Sequence, residues 1–422
     1  MTRTPFSRDF QWMVVGQIIS LFGNSILRFA LSLYVLELTG SAAAFGGILA
    51  LSMVPTVLCA PLGGVLADRV PRQRIMAGLD FLTAALTGGY ALYTGGAGSL
   101  TAVGALMVLL SVIQAVYQPA VQASIPALTP PEGRMAANGT VAQVSALANL
   151  LGPILGGALY SWVGLRPLLY ISGGCFLASA VMECFLRIPF TPPERRGAAL
   201  AGIAADLKEA GRFLVREEPW LLRLLLLLAG LNLLLSPVFV VGIPYLIEVH
   251  LGLSAQLYGA AEGAMGMGSV LGGLLSGPVL GRTGFRRSHW FLAGCSLLLL
   301  PVAAGLLLRL PALACYGVLM VCVLLGLACV MLFNIAAQTF FQHVTPPHLM
   351  GKTAAFITAV CTCAAPLGQA LYGAAFDVLR AQVWLPVLLG AAAGVLLALA
   401  AGRVLSALAE CRRESAGMQR TE

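Results

Sequence analysis

The sequence predicts an all-α membrane protein with twelve transmembrane helices in two pseudo-symmetric six-helix halves. Three observations carry that prediction. Of 422 residues, 59% are apolar and only 10% are charged, against about 25% charged in a soluble domain, and mean hydropathy is +0.90. Apolar runs longer than the roughly 20 residues needed to cross a bilayer recur along the chain. A basic, glycine-rich loop after the second run, Gly63–Arg74, has a degenerate copy at Gly272–Arg287 after the eighth, which divides the chain into matching halves. A β-barrel would instead show alternating segments of roughly ten residues.

The elements follow in order. The first half places spans near 11–36, 43–66, 75–95, 98–125, 138–161 and 167–188. The first ends in Glu37-Leu38-Thr39-Gly40-Ser41 and the second runs into Gly63–Arg74. Asp80 lies about two turns into the third by helical rise, where it is expected to pair with loop arginines. Glu183, near the end of the sixth, is expected to reach the surface. A polar connector, 189–219, follows; its stretch from Ala204 to Arg216 reads equally as an amphipathic helix on the membrane face or as a solvated linker helix. The second half places spans near 220–247, 256–280, 288–308, 311–338, 351–377 and 382–407. Asp377, closing the eleventh, is expected to make a cap or gate contact. The organisation is therefore a first bundle (1–188), a cytoplasmic connector (189–219), a second bundle (220–408) and a cytoplasmic tail (409–422).

Charge sets the orientation. With both termini inside, 21 of the 25 Lys and Arg residues fall on the inner side, Arg166, Arg309 and Arg380 fall outside, and Arg28 lies within a span. Basic residues collect on the cytoplasmic side, so a plasma or bacterial inner membrane location with cytoplasmic termini is expected. The net charge of +8 is absorbed by this topology signal and does not point to nucleic acid. Ten cysteines lie mostly in apolar runs, where Cys behaves as a small hydrophobe. Cys361 and Cys363 lack metal or redox spacing, and the four histidines form no cluster, so no metal or cofactor is expected. No nucleophile–base pair is visible, which argues against an enzyme. The first apolar segment is too long for a removable signal peptide.

Within Gly63–Arg74, the string Gly64, Asp68, Arg69, Arg72 places an acid among bases in a tight turn. It resembles motif A of the major facilitator superfamily. Two halves with matching second loops are also the symmetry of a secondary transporter. The resemblance implies that Asp68 docks at the N-terminus of the eleventh span when the inner side is closed, where helix amides favour a carboxylate, with Arg72 supporting it. In the fifth span, Gly139, Ala148, Gly152, Pro153, Gly156 and Gly157 resemble motif C, which the superfamily associates with exporters. Small residues spaced by four let helices pack at backbone distance, and Pro153 permits a bend. Gly16-Gln17, Ser20-Leu21, Pro119-Ala120, Ala123-Ser124-Ile125-Pro126, Ala137-Asn138, Gln338, Gln342, Pro346-Pro347 and Gly351-Lys352 narrow the resemblance to the macrolide-efflux-like branch.

A charge at a helix centre costs about 2.5–3.5 kcal/mol on insertion scales, so such residues face a cavity or a partner. Glu262 stands in the glycine-rich run Tyr258–Gly268 of the eighth span. A carboxyl group removed from water can exchange a proton near neutrality, so Glu262 is read as the site for a proton or a cationic substrate group, with a structural hydrogen bond as the alternative. Asn24 and Arg28 share one helical face by their spacing of four; they either face the cavity or anchor the first helix. Gln114, Tyr117 and Gln118 give the fourth span a polar face for substrate contact or helix packing. Many proton-coupled exporters of the superfamily carry an Arg in the fourth span, and this chain has none between 98 and 125. The expectation is a monomeric, bilayer-embedded antiporter that expels a small hydrophobic or amphipathic compound, such as a macrolide-like drug, in exchange for protons. The alternatives are export of an endogenous metabolite, siderophore or lipid, and a non-transporting scaffold or sensor.

Overall fold

The computed structural model describes residues 7–93, 98–190, 208–346 and 349–418, without the side chains of 60, 61, 68, 343 and 407–418. Twelve helices are long and apolar enough to cross a membrane, and no strand occurs among the described residues. A helix satisfies every backbone polar group within itself, which is what a segment in lipid requires. The helices are α1 (Arg8–Thr39), α2 (Ala42–Arg69), α3 (Arg72–Tyr93), α4 (Leu100–Leu128), α5 (Arg134–Val163) and α6 (Leu165–Cys184). They continue as α7 (Pro219–His250), α8 (Ala255–Thr283), α9 (His289–Leu307), α10 (Ala312–Val344), α11 (Met350–Val378) and α12 (Trp384–Met418).

Local chemistry sets several ends. Ser7 caps α1, its hydroxyl accepting from the Phe10 N–H at 3.1 Å and donating to the Leu128 carbonyl at 2.8 Å. Gly40 ends α1 at φ 56°, a left-handed conformation that glycine adopts without steric cost, and its N–H reaches the Leu36 carbonyl at 2.7 Å. The α7 span is α-helical over Pro219–Leu234 and then π-helical over Val238–Gly242 and Leu246–His250.

The chain forms two compact units. Unit 1 comprises 1–40, 48–200 and 253–263; unit 2 comprises 41–47, 201–252 and 264–422. Each unit thus takes a helix start from the other half of the sequence: unit 2 holds the first turn of α2, and unit 1 the first turns of α8. One end of unit 1 packs Phe10, Met13, Ile75, Met76 and Val121 into a buried cluster. In unit 2, Gly268 and Gly272, four apart on α8, press against Leu324 and Ala328 of α10, the small-residue packing that substitutes for a hydrophobic driving force in lipid.

Part of the predicted connector is visible. Residues 204–207 of the expected amphipathic stretch lie outside the described residues, but the chain is helical from Lys208 and π-helical over Phe213–Glu217. Ala210, Phe213 and Leu214 are buried, and Gly211 lies beside the ring of Phe356 on α11. Glu209 pairs with Lys352 at 2.6 Å. The segment therefore docks on α11 rather than standing free as a solvated linker.

Candidate functional site

The start of α8 is held against α5 by glycines. A Cβ on Gly157 would lie 2.5 Å from the Ala255 carbonyl oxygen and 3.1 Å from the Gly259 Cα; a Cβ on Gly259 would lie 2.6 Å from the Pro153 carbonyl oxygen. The two backbones touch, and no larger residue fits at either position. The glycines of the motif-C string divide their work. Gly157 and the Pro153 carbonyl meet α8, while Gly152 and Gly156 receive Ser25 and Phe29 of α1. Gly139 has open space around it.

This seam positions Glu262, one helical turn beyond Gly259. The residue as a whole is half-buried. The Tyr258 hydroxyl, one turn back on the same helix, donates to Glu262 Oε1 at 3.1 Å. The Tyr258 ring is itself fixed by stacking on Phe29 of α1, with centroids 4.7 Å apart. No cationic side chain among the described residues pairs with Glu262. An acid held by one hydrogen bond from its own helix, with its flank partly open, can lose or gain a proton without dismantling contacts between helices.

Next to Phe29, Arg28 donates from Nε to Asn24 Oδ1 at 3.2 Å and from its two terminal nitrogens to Ser111 Oγ at 3.3 and 3.2 Å. The guanidinium therefore ties α1 to α4. Gln114 and Gln118 are half-buried on α4. Tyr117 differs from the other two: it is 1% exposed, its oxygen accepts from Gln17 Nε2 at 2.6 Å, and its hydroxyl donates to Glu183 Oε1 at 2.7 Å. Its side chain makes a helix-packing contact in this structure.

Two expectations are overturned here. Glu183 does not reach the surface; it is 1% exposed. Asp80 does not pair with loop arginines; it is sealed, and Ser20 donates to its Oδ1 at 3.2 Å. The reason is helix packing: Ser179 of α6 donates to the Gly16 carbonyl of α1 at 3.2 Å, and Glu183, one turn on, lies beside Gly16. Gln17, Ser20, Asp80, Tyr117, Ser179 and Glu183 thus form one polar cluster joining α1, α3, α4 and α6. Asp80 Oδ2 and Glu183 Oε2 have no hydrogen-bond partner. Each of the six residues reads as ordinary in isolation. The signal lay in the spacing, Gln17 with Ser20 and Ser179 with Glu183, which puts polar pairs on single helix faces.

At the motif-A loop, Gly63 brings α2 against α4, where a Cβ would lie 2.5 Å from the Ala115 carbonyl oxygen. Arg72 donates from Nε to the Ala67 carbonyl at 3.2 Å and from its guanidinium to the Ala123 carbonyl at 2.8 Å, closing the end of α2 onto α4. Gly64 is unobstructed and Arg69 is exposed. The Asp68 side chain lies outside the described residues.

Unit 2 contributes two features. Asp377 caps α2: it accepts from the Ser41 hydroxyl, from the Ala42 N–H at 2.8 Å and from the Ala43 N–H at 3.1 Å. Acid and helix amides are matched in charge there. A cavity of about 310 Å³ opens between α7, α10 and α11. It is lined by neutral amides and hydroxyls, among them Asn334, Gln338, Gln342 and Thr353, with Phe341 and Ile357. Thr345 Oγ1 and Thr353 Oγ1, both on this lining, are buried without partners. Asn334, Gln338, Phe341, Gln342 and Thr345 recur at helical spacing on one face, and that stripe was the available signal.

Twelve spans, a glycine seam beneath an intramembrane acid and a polar cavity define a membrane transporter, and comparison with known proteins gives the family. The Major Facilitator Superfamily model matches residues 13–369; the chain belongs to that superfamily. Macrolide efflux protein A of Streptococcus pyogenes is 24% identical over 397 residues, covering 89% of this chain and 91% of that protein. Multidrug efflux pump Tap of Mycobacterium tuberculosis (strain ATCC 25618 / H37Rv) is 22% identical over 379 residues, covering 86% of each. These relatives agree with the macrolide-efflux-like branch. Among solved structures, the nucleoside transporter NupG superposes with a TM-score of 0.72 at 13% identity, covering 94% of this chain and 99% of NupG. A bacterial homologue of the iron transporter ferroportin, in its inward-facing state, gives 0.70 at 18% identity over 93% of this chain and 98% of that one. These two show the fold, which is the major facilitator fold.

Proposed function

We propose that this transporter exports a hydrophobic or amphipathic compound, of the macrolide-like kind, by alternating access coupled to proton entry. The observation that carries the reading is Glu262: an acid inside a span, half-buried, unpaired by any cation among the described residues, and set on a helix seam that only glycine permits. Its proton is exchanged as substrate binds and leaves, and the Tyr258 hydroxyl steadies the ionised form. Asn24, Arg28, Gln114 and Gln118 supply polar contacts on α1 and α4. The cavity of unit 2 offers neutral hydrogen-bonding groups beside aromatic and aliphatic surface, which suits a compound with dispersed hydroxyls and carbonyls. Gly64, Asp68, Arg69 and Arg72 act as the conformational latch, and the charge count puts both termini in the cytoplasm. The chain works as a monomer. Efflux relatives that align over most of their length support export.

The test is drug efflux from an efflux-deficient host with a panel of macrolides and cationic compounds, followed by proteoliposome flux under an imposed pH gradient. Raised resistance to at least one panel member and flux that stops when the gradient is collapsed are expected. No change across the panel would move the substrate to the endogenous class. Flux indifferent to the pH gradient would remove proton coupling.

A further inference from the structure

A second cavity, of about 660 Å³, lies between α9 and α12 of unit 2, away from every residue used above. On α12 its wall is the stripe Val395, Leu399, Gly402, Arg403 and Ser406, spaced to share one helix face. The α9 wall runs from His289 to Leu297. Along the helix axes the groove therefore extends about 12–16 Å, a length suited to an acyl chain and far beyond what a lone phosphate needs.

The two ends of the groove differ in chemistry. One end is aliphatic and uncovered: Leu297 is 50% exposed and Leu399 59%, and both lie within spans. At the other end sit Arg403, exposed, and Ser406, one turn further on. His289 presses its ring on the backbone of Gly402, where a Cβ would meet it at 3.0 Å, and its Nδ1 meets the Arg286 carbonyl at 3.0 Å. Trp290, 65% exposed, stands at the same mouth, as indoles do at the level of lipid headgroups. Arg282, Arg286 and Arg287 precede α9, and none of the residues lining the groove is an acid; Glu410 follows Ser406 by one turn in the sequence. Among the lining residues this end therefore presents Arg403 and no acid.

We propose that this groove is a binding site for an anionic phospholipid, its phosphate held by Arg403 and Ser406 beside His289, and one acyl chain lying against Leu297, Val395 and Leu399. Basic pockets between membrane helices select anionic headgroups in this way. No acid among the lining residues would receive the ammonium of a zwitterionic headgroup. The bound lipid bridges α9 and α12 and stiffens unit 2.

The experiment uses the full chain, purified in detergent and offered phosphatidylglycerol or phosphatidylcholine of matched acyl chains. Native mass spectrometry counts retained lipid, and thermal shift reads stabilisation. Wild-type protein is expected to retain phosphatidylglycerol over phosphatidylcholine and to melt higher with it. Arg403→Gln is expected to lower phosphatidylglycerol retention about tenfold, the value of one charge-assisted hydrogen bond. Leu399→Trp, which fills the aliphatic end, is expected to lower it with the cationic mouth intact. Equal retention of the two lipids by wild type overturns the proposal without any variant, and so does undiminished phosphatidylglycerol retention by folded Arg403→Gln. Retention lost in Arg403→Gln but kept in Leu399→Trp overturns the acyl-chain half and leaves a surface anion contact. None of these readings depends on transport.

Discussion

Glu262 and the Asp80–Glu183 pair are all acids within membrane spans of the same unit, yet their surroundings differ. Glu262 is half-buried and receives its hydrogen bond from its own helix. Asp80 and Glu183 are 2% and 1% exposed and receive theirs from Ser20 of α1 and Tyr117 of α4. A sealed charge with no cation to offset it would cost several kcal/mol; the pair serves through hydrogen bonds that bind four helices. An acid inside a span is thus a candidate site only when its partners are local and its flank is open. Where the partners come from other helices and the flank is closed, the same residue type holds the bundle together.

The comparison can be broken by substitution, and the effects should fall in a definite order. Glu262→Gln keeps the size and the Tyr258 contact, so expression and thermal stability should stay near wild type while pH-driven efflux falls to background. Vesicle efflux alongside a melting curve checks both. Gly259→Leu drives a side chain into the Pro153 carbonyl and should cost at least the roughly 1–3 kcal/mol of core overpacking, read as lost folded yield and a lowered melting temperature. Tyr117→Phe strands Gln17 and Glu183 Oε1 in a sealed cluster and should destabilise by about 1–3 kcal/mol, with flux per folded molecule retained. Asp377→Asn keeps an acceptor at the start of α2 but loses the charge, for about 0.3–1 kcal/mol. Lys352→Gln removes a partly exposed ion pair and should change stability by less than about 1 kcal/mol.

Much of the fold was legible in the sequence because lipid imposes one rule, an apolar run long enough to cross. All twelve helices fall where those runs are, with most ends shifted by a few residues; α10 continues to Val344 past the expected 338, and α12 runs to Met418, eleven residues past the expected 407 and into the stretch expected to be a tail. What escaped was polar chemistry between helices. Asp80 sits close to a basic loop in sequence, so arginine was the natural partner to expect. Its true neighbour, Ser20, is 60 residues away and is brought near only by helix packing. Glu183 lies at a span end, which predicts a surface position, but α6 packs on α1 through the Ser179–Gly16 hydrogen bond and Tyr117 of α4 donates to its carboxylate. Glu262 was legible because its glycine setting is local. Tyr258, four residues away, was visible in the same run, and its hydroxyl supplies the contact. The cavity stripe on α10 was periodic but neutral, and neutral polar residues in an apolar run carry little signal.

The most direct test places Glu262→Gln and Glu183→Gln side by side in proteoliposomes, with efflux driven by an imposed pH gradient and normalised to folded protein. Glu262→Gln should lose gradient-driven efflux while Glu183→Gln, whose side-chain carbonyl still accepts from Tyr117, should keep it. Efflux retained in Glu262→Gln and lost in Glu183→Gln would contradict the account and move the proton site into the sealed cluster.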